Sequence, residues 1–221
     1  MRNSSTKTAP QSGPVVTKRD PDGVREDILQ VAVSEFAEKG LSGARVDDIA
    51  SKTKTSKRMI YYYFGDKVGL YQRCLELAYA RVREGEAALQ LDDLDPMQAL
   101  EQLVDFTVDH HAKNSDFVRL IMIENVHQAQ YLNRSEALKG MNLPIIRKLE
   151  TIIQKGQDQG LFRSDLNPLH LHWKISALSF FNVSNRNTFS AVFGGKLFEA
   201  HEQEELKSNI VRMIQTFVKR V

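Results

Sequence analysis

An all-α fold is predicted for this chain, a three-helix domain followed by a larger helical one, and three observations predict it. Apolar residues recur at the i, i+3, i+4 spacing of a helix face through most of the length. Capping and proline signals, among them Asp95-Pro96 and Asn167-Pro168, stand where such faces begin. The 221 residues, 42% of them hydrophobic, suffice for a small domain and a larger one. The boundaries we assign are 1–20 for a tail, 21–66 for the first domain and 67–221 for the second.

The tail is rich in Ser, Thr, Pro and Gln, without the apolar surface that would offset ordering entropy, and is expected to be a disordered basic leader. Lys18 and Arg19 could follow a phosphate backbone there. A first helix runs from near Asp22 to Lys39, with Ile28, Leu29, Ala32 and Phe36 on one face and Gly40 ending it. Val46, Ile49 and Ala50 mark a short second helix, and Met59, Ile60 and Phe64 a third after a polar break. Thr53-Lys54-Thr55 forms the turn between them, and Ser56 is placed to cap the third helix, which starts at Lys57. Ile49, Ile60 and Phe64 can pack on Ile28, Ala32 and Phe36, a core small enough to need the rest of the chain.

The third helix carries Lys57 and Arg58 in its first turn and Tyr61 and Tyr62 on its outer face, and no acidic residue occurs from position 49 to 65. A positive helix N-terminus with outward donors suits a reader of the major groove. The motif resembles the helix-turn-helix of the TetR family of bacterial transcription regulators: Ile49-Ala50, Ser56, Ile60-Tyr61-Tyr62-Tyr63-Phe64 and Lys67, then Leu70-Tyr71. The family pattern is departed from in three places. Thr53-Lys54-Thr55 stands for the usual Ala-Gly-Val, so a left-handed Lys54 would cost roughly 1 kcal/mol. Arg45 replaces a small hydroxyl residue, losing a cap and gaining a guanidinium, and Tyr63 replaces the commoner His. The resemblance implies a DNA-binding domain. We assign Thr55, Lys57, Arg58, Tyr61 and Tyr62 to the groove and flanking backbone, and Arg45, Ser56 and Lys67 to phosphates or capping.

From Asp66, a cap, one helix runs without proline to about Leu89, about 35 Å by the rise per residue. Asp95-Pro96 opens the next, through Leu100, Leu103, Val104 and Val108. Asn114 or Ser115 opens a helix whose Phe117, Val118, Leu120, Ile121, Met122 and Ile123 surround its circumference, which predicts burial on all sides. Asn142 precedes a helix through Ile145, Leu149 and Ile153 to Gly160. Asn167-Pro168 starts one to about Asn185, and the last runs from about Glu202 to Val221. The last two each carry more than one apolar face. This predicts a homodimer through a four-helix interface, with Leu171, Ile175, Leu178, Leu206, Ile210 and Phe217 at the contact. The run GQDQGLFRSDLNPLHL also resembles the TetR-family segment that leads into the dimerisation helices, and with Leu169 to Gly194 it is similar to the pyrimidine-responsive RutR-like branch.

Residues 1–65 hold 11 Lys and Arg against 8 Asp and Glu, so the small basic excess is local within a net charge of +2. A single cysteine, Cys74, allows no internal disulfide and suits the cytoplasm, and no run of membrane-spanning length occurs. No catalytic signature emerges, no cofactor is implied, and His110-His111 and His170-x-His172 lack the spacing of metal ligands. Ile121, Glu124, Asn125, Gln128, Trp173 and Phe180 are the candidate lining of an apolar effector cavity, the alternative being bonds to neighbouring helix ends or a place in the core. The expected function is a transcription regulator that binds a double-stranded DNA operator as a homodimer, represses, and is released by a small organic effector. An activator of the same fold, or a helical enzyme or interaction scaffold, is the alternative.

Overall fold

The computed structural model describes residues 20–141 and 143–220. The expectations for the leader, the Asn142 cap and Val221 lie outside them. The first helix, α1 (Pro21–Gly43), is capped by Asp20, whose carboxylate accepts from the Asp22 amide at 3.1 Å. It breaks at Gly40, where φ is +69°, and makes one more turn to Gly43. Glycine takes that conformation without a Cβ penalty. Then follow α2 (Val46–Lys52), α3 (Lys57–Phe64) and α4 (Lys67–Ala88). The 22 residues of α4 span about 33 Å.

Ile28, Ala32, Phe36, Ile49, Ile60 and Phe64 form the small core that the spacing predicts, and it does not stand alone. Leu70, Tyr71, Cys74, Leu75 and Ala78 of α4 complete it, with Leu120 from much farther along the chain. The start of α4 thus belongs to the first core, and its later part runs on beyond that core toward α5.

Leu120 lies on α6 (Ser115–Val126), which follows α5 (Pro96–Lys113), capped as predicted by Asp95. The expectation that α6 is buried all round is corrected. Val118, Leu120 and Glu124 are buried, Phe117, Ile121 and Ile123 half-buried, and Met122 and Val126 exposed. The reason is its position between α1 and α8, which cover two faces and leave the third open.

The second core joins Leu100, Leu103 and Val104 of α5 to Ile145, Leu149 and Ile152 of α7 (Leu143–Asp158). It also takes in Leu171 and Ile175 of α8 (Pro168–Ser184) and Ile210, Ile214 and Val218 of α10 (Ala200–Val218). Asn167 caps α8, accepting from the His170 amide at 3.0 Å. The Arg163 amide donates to the Val218 carbonyl and the Arg220 amide to that of Leu161, both at 2.9 Å, tying the end of α10 to the α7–α8 connection. One helix escaped the sequence: α9 (Arg186–Phe193), eight residues directly after α8 that lack a buried face to make them periodic.

Three of the expected interface residues are thereby corrected. Leu171, Ile175 and Ile210 are buried inside the protomer, because α8 and α10 turn those faces to α5 and α7. Phe217 is half-buried, with Arg163 and Lys174 each 4.9 Å from its ring centre. Leu178 and Leu206 remain partly exposed. Beside them stand Phe181, 56% exposed, and Met213, 55%, rimming an apolar hollow between α8, α9 and α10.

Candidate reading head and ligand cavity

Ser56 caps α3 as the sequence requires, its hydroxyl accepting from the Met59 amide at 3.3 Å. Thr53 is buried and donates to the Ile49 carbonyl at 2.9 Å, closing the end of α2. Among the described non-glycine residues only Gln128 and Ala129 have positive φ, so Lys54 makes the turn without left-handed strain. Gly65, with φ +78°, ends α3, and Asp66 caps α4 by accepting from the Gly69 amide at 2.7 Å.

Ile60 and Phe64 point into the core, while Lys57, Arg58, Tyr61 and Tyr62 are exposed, Tyr62 to 78%. Arg45 is exposed before α2 and makes no side-chain cap. Thr55 is half-buried in the turn. Lys57 donates to Asp47 at 2.9 Å, and this bond holds its pKa above the ordinary lysine value. Lys67 donates to the Ser42 carbonyl at 3.3 Å, fastening α4 to the last turn of α1.

Sequence reasoning missed a buried carboxylate in this head. Glu35 on α1 pairs with Lys39 and, at 2.5 Å, with Lys52 at the end of α2, and Lys39 also reaches Asp48 at 3.3 Å. Hydrogen bonds from Lys39 and then Lys52 hold the Glu35 pKa below the ordinary carboxylate range. The network sets α2 on α1 and so fixes the angle at which α3 is presented.

A cavity of about 320 Å³ opens between α4, α5, α6 and α8. Ile121, Asn125, Trp173 and Phe180, four of the six candidates, line it. Glu124 and Gln128 do not, because they lie off the cavity face of α6. Glu124 is buried on the Leu120 side of the helix and accepts from the Leu132 amide at 3.0 Å; burial first and Glu124 second push up the pKa of Tyr71 in the head's core. Gln128 is exposed beyond the helix end with φ 55°.

The polar lining was not foreseen. Tyr79, Arg83 and Glu86 of α4 reach the cavity beside Val82, a spacing of i, i+3, i+4 and i+7 that marks one helix face and was open to reading. His110 and His111 of α5 and His172 of α8 join them. Arg83 Nη1 lies 2.6 Å from Glu86 Oε2, both side chains largely buried. Burial pushes the Glu86 carboxyl up to about 7 against the pull of Arg83 and Lys148.

Burial likewise pushes His111 and His172 down to about 4, and His110 downward, so these imidazoles are neutral at neutral pH. Ser179 donates its hydroxyl proton to the Ile175 carbonyl at 2.9 Å, and His111 Nδ1 stands 2.9 Å from the Ser179 hydroxyl oxygen. Among the described residues no group of three His, Cys, Asp or Glu is placed to hold a metal ion, and no helix is long and apolar enough to cross a membrane.

A helix-turn-helix on a small core, joined by one long helix to a bundle with a cavity, is also what the comparisons return. Residues 28–74 match the family described as bacterial regulatory proteins, tetR family, and residues 96–214 match the Tetracyclin repressor-like C-terminal domain. The chain is 39% identical to the HTH-type transcriptional repressor NicS of Pseudomonas putida over 80% of its own length and 83% of that protein. It is 32% identical to the HTH-type transcriptional repressor SCO4008 of Streptomyces coelicolor over 49% of its length and 53% of that protein. The crystal structure of the putative transcriptional regulator SCO4942 from Streptomyces coelicolor superposes with a TM-score of 0.66 at 24% identity, covering 90% of this chain and 99% of that one. Head and bundle match separate parts of one regulator architecture, and the chain belongs to the TetR family of bacterial DNA-binding transcription regulators.

Proposed function

We propose that the chain is a homodimeric repressor, acting in the cytoplasm, that holds a partly palindromic operator and releases it when a small organic effector enters the cavity. The observation that carries the effector's part is the double role of α6. One face brings Ile121 and Asn125 to the cavity, and the other sends Leu120 into the core of the reading head. The early turns of α4 lie in the same core and its later turns line the cavity with Arg83 and Glu86. A ligand that prefers one setting of these two helices shifts the separation of the paired heads, which must match successive major grooves about 34 Å apart. Both relatives named above are described as repressors.

Trp173 is the single tryptophan, lies at the cavity and is 68% exposed, so its fluorescence reports occupancy. A library screen on this signal, with each hit retested on an operator selected from random duplexes, is expected to yield compounds that lower operator affinity. Operator binding itself should weaken steeply as salt rises. Tight cavity ligands that leave operator affinity unchanged would refute the coupling.

Within the head, Arg58 is assigned to a base edge. Arg58→Ala is expected to cost about 1–3 kcal/mol and relax one base position. Lys67→Ala is expected to weaken all duplexes alike, through a lost phosphate contact and through the α1–α4 fastening to Ser42. Competition assays over single-base operator variants separate the two, and equal loss of specificity from both would refute the assignment.

A further inference from the structure

We propose that the cavity takes a small aromatic monocarboxylate, its carboxylate on the Arg83 guanidinium and its ring among Phe106, Phe117, Trp173 and Phe180. This rests on the effector reading above and names the ligand class. The aromatic walls favour a flat apolar body, and about 320 Å³ is at the small end for ligand sites, enough for one or two rings.

The polar end is set by unmet hydrogen bonds. Arg83 Nε and Nη1 are buried with no hydrogen-bond partner, and so is His110 Nε2. Glu86 Oε2 approaches Nη1 as an ion partner without making an aligned hydrogen bond. A guanidinium only donates, so whatever satisfies it must bring acceptors, and its planar fork matches the two oxygens of a carboxylate. The three imidazoles are neutral and add no positive charge, so the cavity suits one negative charge and not two.

The ligand carboxylate displaces Glu86 from the guanidinium, and Glu86 takes up a proton. The charged and titratable groups around Glu86 are Arg83 and Tyr79 on α4, His110 and His111 on α5, Lys148 on α7 and His172 on α8. With the Glu86 carboxyl near 7, it is the group among these whose charge changes around neutrality. Affinity for the carboxylate is therefore highest on the acid side of neutrality and declines above pH 7, by up to about tenfold per pH unit.

The test compares benzoate, phenylacetate and 2-naphthoate with their primary amides on the full-length protein. Trp173 fluorescence reads affinity, and calorimetry in two buffers of different ionisation heat counts protons. The carboxylates are expected to bind at least tenfold tighter than the amides at pH 6.5, with proton uptake that grows as the pH is raised above 7. Arg83→Gln should erase the preference, and Glu86→Gln should keep it while flattening the pH profile. Amides binding as well as carboxylates on the unmodified protein, or neither series binding, would overturn the inference, and no variant is needed to see it. Amides that bind and release operator would leave the effector reading standing. Tight ligands of either kind without effect on operator would remove that reading instead.

Discussion

Phe181→Asp combined with Met213→Asp is expected to give folded monomers whose operator affinity is lower by a hundredfold or more. Both side chains are apolar and more than half exposed on adjoining helices, and they rim the hollow between α8, α9 and α10. Covering such a surface by a second copy removes apolar area from water at about 25 cal/mol per Å², and two carboxylates there oppose it. Joining two weak half-site contacts raises affinity by about 10²–10⁴ over one, and that factor is what the monomer loses. Sedimentation velocity and operator titration measure the two effects together. Leu171→Asp is the contrasting variant: Leu171 is buried inside the protomer, so a charge there should unfold the bundle, not split a dimer. A double variant that stays dimeric with native operator affinity would place the interface elsewhere, the open Met122 and Val126 face of α6 being the next surface to examine.

Gly69→Ala should nearly abolish operator binding. In most helices this change stabilises by about 0.5–1 kcal/mol, since alanine loses less conformational freedom. Here a Cβ at position 69 would fall on the carbonyl oxygen of Phe64, closer than non-bonded atoms tolerate. A backbone carbonyl cannot turn aside as a side chain can, so α4 must move away from the end of α3. Overpacking of this kind costs about 1–3 kcal/mol, and the displaced joint lies between α3 and α4, the helix proposed above to set head spacing. Gly85→Ala makes the comparison, because its Cβ would meet the Phe106 ring at 2.5 Å, and a ring can swing into the cavity. That variant should keep operator binding and lose effector response. Thermal melts beside operator titrations decide it: native affinity in Gly69→Ala would mean that the joint yields without moving α3.

The reading head was legible because its signals are local. Ser56 caps within three residues, and Ile60 and Phe64 declare the inner face by spacing alone. What the sequence could not give was which partner covers an apolar or charged residue. Leu171, Ile175 and Ile210 carry the same chemistry as Phe181 and Met213, and only the placement of α5 and α7 decides which set is core. Arg83 and Glu86 look like ordinary solvated residues of a long helix until α5 and α8 desolvate them. Lys57 and Lys67 were visible as cations, but not their bonds to Asp47 and Ser42. Glu35 looked unexceptional because its two lysines lie 4 and 17 positions away, one of them on another helix.

Helix α6 bears on how such proteins can be recombined. Because Leu120 is part of the head's core while Ile121, the next residue, lines the cavity, no cut between residues 66 and 67 separates two self-sufficient modules. A chimera that grafts another relative's α1 to α3 onto this bundle inherits a mismatched seat under α1 unless the α6 face bearing Leu120 and the first turns of α4 travel with it. Sensor and reader are parts of one packed body, and new pairings of the two have to be repacked at α6 as well as rejoined at α4.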